Sequence, residues 1–124
     1  MNGYKKLIVW QKSMTLIIEI YRLVKFLPKI ETYALSDQMR RSVVSIPSNI
    51  AEGHGRGSTR EYIQFLNIAR GSCFELETQL NACVIIEYVS PNDAKYAFDL
   101  LNEICKMLTA MINKLKLQLQ NDSN

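Results

Sequence analysis

Histidine, cysteine, proline and tryptophan are all scarce in this sequence. One histidine, three cysteines, three prolines and one tryptophan are spread over 124 residues. A single histidine, His54, with no C-x-x-C or Cys/His grouping leaves no support for a zinc site, and no metal is expected. Cys73, Cys83 and Cys105 are odd in number and sit in helical patterns, which argues against a disulfide framework. They read as buried reduced thiols of a cytoplasmic protein. No apolar run approaches the roughly 20 residues of a membrane span. The N-terminus lacks a basic segment followed by an apolar run and a cleavage site, so no signal peptide is expected. No strand pair or internal repeat is visible. Any nucleophilic arrangement would have to use His54, and no acid–base pair or cofactor motif accompanies it. The expectation is a non-enzyme with no catalytic residues and no cofactor.

What the chain does have is apolar content of 48% in a length that suits one domain, residues 1–124, with a real core. The net charge is a mild +3, but it is unevenly distributed. Residues 1–60 carry ten Lys/Arg against four Asp/Glu, a balance of +6; residues 61–124 carry five against eight, a balance of −3. A basic half suits an anionic partner such as nucleic acid, and equally an unevenly charged solvated surface.

Four amphipathic stretches follow one another. Leu7, Trp10, Met14, Ile17, Tyr21 and Val24 step by three and four, predicting a helix over 7–27 closed by Pro28. Ser36 is the expected N-cap of a second helix over 36–53, with Asp37 in its first turn. Its apolar face is Leu35, Met39, Val43, Ile46 and Ile50. Beside that face runs a polar stripe of Gln38, Ser42, Ser45, Asn49 and Glu52, read either as a polar site or as a satisfied structural network. A third helix is predicted over 59–88, with Gly71 in its middle admitting a neighbouring backbone. Ser90, Pro91 and Asp93 begin a fourth over 91–119, followed by a frayed polar tail at residues 120–124. Three short connections make this an all-α, up-and-down four-helix bundle. Ile63, Ile68, Val84, Ile85, Leu100, Met107 and Leu117 are apolar beyond what one stripe per helix needs, which points to self-association.

Residues 42–61 form the corner around which the rest is arranged. Pro47 lacks an N–H and crowds the carbonyl of Val43, so the second helix is expected to kink there; two short helices broken at Ile46 are the alternative. Gly53, Gly55 and Gly57 offer positive φ, and one of them should end the helix. Ser58 and Glu61 form a capping box for the third helix. Arg56 and Arg60 beside that N-terminus favour an anion, or are solvated arginines next to a capped helix. With Lys5, Lys6, Lys12, Arg40 and Arg41 they are the candidate phosphate contacts.

Specific blocks also resemble a known family. Leu7-x-x-Trp10-Gln11-Lys12, Leu35-x-x-Gln38-x-Arg40-Arg41, Ser45-Ile46-Pro47-Ser48-Asn49-Ile50-Ala51-Glu52-Gly53, Gly55-Arg56, Phe65-Leu66-x-Ile68-Ala69-x-Gly71-Ser72 and Glu75-Leu76-x-Thr78-Gln79-Leu80 are similar to the four-helix-bundle proteins encoded in intervening sequences of bacterial 23S rRNA genes. Accessory proteins of diversity-generating retroelements are similar as well. Ile86-Glu87-Tyr88 departs from the pattern, where the family often has Leu-Gly-Tyr, and this bears on the end of the third helix. The resemblance implies a kinked bundle, a barrel-shaped homopentamer, and a basic surface for structured RNA or DNA. In the retroelement relatives the partner is a reverse transcriptase. Two functional readings therefore stand: an oligomeric nucleic-acid-binding protein, and a module whose partner is another protein.

Overall fold

The computed structural model describes residues 3–123. A short 3-10 turn, Gly3–Lys6, leads into helix α1, Ile8–Val24. A second 3-10 turn, Lys29–Glu31, precedes α2, Leu35–His54. Helices α3, Thr59–Ile85, and α4, Pro91–Ser123, complete the chain. Each helix packs on its neighbours in sequence, and α1 closes against α4. Among the described residues no helix pair crosses the diagonal, so the four stand as a square up-and-down bundle.

The core follows the predicted stripes. Leu16, Ile20 and Leu23 of α1 meet Met39, Ile46 and Ile50 of α2, Leu66, Leu76 and Leu80 of α3, and Leu101, Ile104 and Leu108 of α4, all fully buried. Each contributes about 2 kcal/mol relative to remaining in water. Two of the surplus residues, Ile63 and Leu100, also belong to this core. Ile68, Ile85 and Leu117 remain exposed.

The helix ends differ from expectation in instructive ways. α1 stops at Val24, because Phe26 and Leu27 donate to the carbonyls of Leu23 and Val24, three residues back, and the residue before Pro28 avoids helical geometry. Ser36 does not cap α2. The helix starts at Leu35, whose N–H donates to Glu31 Oε1 at 3.4 Å, and Ser36 is buried inside the first turn. Pro47 lies within α2 without interrupting it, so the two-helix alternative fails. α2 ends at Gly55, yet φ there is −80°, and none of Gly53, Gly55 and Gly57 takes a positive φ. Gly53 serves another purpose: a Cβ on it would lie 2.7 Å from Phe65 Cβ, so α2 and α3 approach too closely for a side chain. Gly71 is the converse. Open space surrounds it, and no neighbouring backbone approaches within the chain.

α3 ends three residues early. Tyr88 N–H donates to Cys83 O at 2.9 Å and Glu87 N–H to Val84 O at 3.0 Å. That pair of bonds is a Schellman cap, and Glu87 occupies its left-handed position with φ 70°. Ser90 caps α4 as expected, accepting from Asp93 N–H at 3.0 Å. The polar tail is not frayed, because α4 continues to Ser123 with no glycine or proline to stop it; Asn124 lies outside the described residues.

Candidate nucleic-acid interface

α1 and α3 begin, and α2 and α4 end, at one end of the bundle. The first 3-10 turn packs there against α2, placing Gly3 beside the His54 ring. His54 in turn meets the Tyr62 ring edge-on, at 5.7 Å between centroids. No hydroxyl, thiol or carboxylate is hydrogen-bonded to His54 among the described residues, so nothing there prepares a nucleophile. Ser58 caps α3 by accepting from Glu61 N–H at 3.1 Å. The other half of the expected box is missing: the Glu61 carboxylate takes the Ser58 hydroxyl at 3.3 Å and faces Arg56.

The seven candidate cations do not form one patch. Lys5 and Lys6 are exposed on the first 3-10 turn, and Arg60 is exposed in the first turn of α3. These three have no acidic partner among the described residues. Arg56 shares their end but is engaged with Glu52 at 3.1 Å and Glu61 at 3.6 Å, and it lies over the Phe65 ring at 5.0 Å. Lys12 faces α4 and pairs with Glu103 at 2.7 Å. Arg41 pairs with Asp37 one turn back at 3.0 Å, its side chain 80% exposed. Arg40 departs from the solvated-face reading. It is half-buried, and its Nη2 donates to Thr32 O at 3.1 Å, tying α2 to the connection before it.

Lys114 was missed from sequence. A groove between the start of α1 and α4 is lined by Lys6, Ile8, Met107, Ala110 and Met111. Lys114 follows Ala110 by four residues and Met111 by three, so it extends that face of α4 beyond Lys6. The helical spacing carried the signal, but the acidic balance of the second half masked it.

The polar stripe of α2 divides. Ser45 Oγ lies 2.8 Å from Ser72 Oγ of α3, and Asn49 Nδ2 donates to Ser45 O and Oγ at 2.8 and 3.0 Å. This is a satisfied link between helices rather than an open site. Gln38 and Glu52 point outward. Cys73 and Cys83 are buried free thiols, and burial pushes them up to about 12 and about 11. Neither is a nucleophile at neutral pH. Among the described residues no cluster of His, Cys, Asp or Glu could hold a metal ion, and no helix is long and apolar enough to cross a membrane.

Residues 5–110 match the family described as 23S rRNA-intervening sequence protein. The chain belongs to this family. It is also similar to a crystal structure at 1.70 Å from Bacteroides thetaiotaomicron VPI-5482, a protein with unknown function from the S23 ribosomal protein family. Identity is 31%, the match covers 85% of this chain and 98% of that one, and the TM-score is 0.78. No curated protein matches.

Proposed function

We propose that the chain is a non-catalytic nucleic-acid-binding protein that works as a symmetric homo-oligomer on structured RNA. The observation that carries this reading is the end of the bundle where Lys5, Lys6 and Arg60 stand without acidic partners among the described residues. A cation already neutralised within its own chain releases little when a phosphate arrives; an unpaired one displaces counterions from the nucleic acid. Repetition by symmetry turns three weak contacts per copy into an avid surface. Exposed apolar residues such as Ile68 and Phe74 support the oligomer, and the choice of RNA rests on the resemblance. Five-fold symmetry is what the resemblance implies.

Filter binding of a structured RNA over a salt series tests this. Affinity should fall steeply with salt, and the Lys5→Gln/Lys6→Gln/Arg60→Gln variant should flatten the slope by about 0.9 for each phosphate it no longer neutralises. Lys12→Gln, whose charge is already paired, should change it far less. Absence of binding at low salt would refute the reading.

A second reading, a protein partner such as a reverse transcriptase, is favoured by the opposite end. Ile30, Tyr33 and Ile85 are there 84%, 94% and 80% exposed, and Tyr88 Oη donates to Glu31 at 2.9 Å to hold the two connections together. Such apolar exposure suits a protein surface better than a phosphate backbone.

A further inference from the structure

α4 outlasts the helix beside it. Lys12 of α1 meets Glu103 of α4, and the two helices run antiparallel, so Ile8, one turn before Lys12, stands level with Met107, one turn after Glu103. There α1 begins, while α4 runs on to Ser123, roughly 24 Å further. The first 3-10 turn does not cover this length: among the described residues it packs against α1 and α2, not along α4. The corner of the square that α1 fills elsewhere is therefore open beside the last turns of α4.

The surface of that corner is apolar in the middle and positive at its edges. Leu7, Ile8, Val9, Met107, Ala110 and Met111 line a groove of about 480 Å³ where α1 starts. Ile8 is 59% exposed and Ala110 is exposed, so apolar surface faces water there. The two methionines are unbranched and adapt to the shape laid against them. Lys6 also lines the groove, and Lys114 follows Met111 by three residues on the same face of α4. Neither lysine makes an ion pair among the described residues. α4 carries no carboxylate between Met107 and Asn121, and the first turn of α1 holds none either. Glu103, one turn before Met107, is taken by Lys12.

We infer that this corner docks an acidic amphipathic helix of a partner protein, laid along α4 where α1 leaves off. Its apolar side chains fill the groove between Ile8 and Met111, and its carboxylates meet Lys6 and Lys114. The charge decides the partner: a neutral helix would leave both lysines without a counterion, and a basic one would set like charges against each other. A nucleic acid suits the groove less well, because its lining has no aromatic ring on which a base could stack. This seat lies away from Ile30, Tyr33 and Ile85, and shares only Lys6 with the phosphate contacts proposed above.

Fluorescence anisotropy of the full chain with a labelled synthetic helix tests it. The probe is a peptide of about 15 residues with leucines on one face and glutamates on the other, and its analogues carry glutamine or lysine in place of glutamate. The glutamate peptide should bind, the glutamine peptide at least about tenfold more weakly, and the lysine peptide not at all. Ile8→Ser and Lys114→Glu should each weaken the glutamate peptide about tenfold, while their circular dichroism melts match the wild type because both side chains are exposed. Filter binding of a structured RNA should be unchanged by Ile8→Ser, since no phosphate contact uses that residue. The docking site is refuted if the glutamate peptide does not bind, if all three peptides bind alike, or if both variants bind it as the wild type does. It is overturned in favour of another occupant if Ile8→Ser weakens RNA as much as peptide, which assigns the groove to nucleic acid, or if Ile8→Ser lowers the mass seen by light scattering, which assigns it to a second copy.

Discussion

Replacing Glu87 with glycine should stabilise this protein. Glu87 holds φ at 70° because the Schellman cap of α3 requires a left-handed residue there. For a residue with a Cβ that conformation costs about 1–2 kcal/mol. Glycine removes the cost but makes the unfolded chain more flexible, which takes back about 0.4–1 kcal/mol. The carboxylate adds a smaller penalty, since it stands at the negative end of the α3 dipole. The expected net gain is about 1 kcal/mol, raising Tm by about 3–6 °C for a chain of this length. Urea unfolding and thermal melts measure it. Glu87→Asn separates the causes, because asparagine tolerates the left-handed region while also removing the charge; Glu87→Gln removes the charge alone. Stability should descend from the glycine variant through the asparagine and glutamine variants to the wild type. A glycine variant that melts at or below the wild type would refute the reasoning, since it would mean that the cap carries no strain.

Gly53→Ala should destabilise by about 1–3 kcal/mol in urea unfolding, since its Cβ would press on Phe65 Cβ at 2.7 Å and force α2 from α3. Arg40→Gln should cost about 1 kcal/mol by releasing Thr32 O, whereas Arg41→Gln should stay within about 0.5 kcal/mol of the wild-type monomer; equal effects would undo the distinction between them. Of the three thiols, the half-buried Cys105 should be alkylated first, as read by mass spectrometry of the native protein. Cys73 and Cys83, raised to about 12 and about 11, keep their protons in the fold when the unfolded chain begins to lose them near pH 9, so urea stability should fall as pH rises above about 9.

The bundle was legible because its signal is repetitive. Every helix carries its apolar stripe over several turns, and one misread residue does not move the face. Ends are different, because each depends on one or two hydrogen bonds. Ser90 could be read as a cap because Pro91 and Asp93 support it in sequence, and Asp93 N–H does bond to it. Ser36 looked like a cap and is not one, since Glu31, four residues before Leu35, supplies the acceptor instead. Glu87 was visible only as a departure from a family pattern. What the glutamate does there, holding a left-handed turn that glycine would hold more easily, depends on the bond from Tyr88 to Cys83.

The candidate interface was less legible, for a reason that lies in electrostatics. A sum of charges over residues 1–60 counts Arg41 and Arg60 alike. The structure separates them by what stands one turn away. Asp37 lies four residues before Arg41 and Glu52 four before Arg56, and both pairs form. This spacing was present in the sequence and could have been used to discount those two arginines. Lys12 could not have been discounted that way, because its partner Glu103 comes from the far end of the chain through the packing of α1 on α4. Arg40 is taken by a backbone carbonyl, which no pattern of side chains announces. Lys5, Lys6 and Arg60 make no ion pair with a carboxylate among the described residues. Lys25 and Lys29, exposed at the opposite end, make no ion pair among the described residues either, so the charge that a phosphate can use at the Lys5, Lys6 and Arg60 end is smaller than +6, and an assembly of copies would present it several times over.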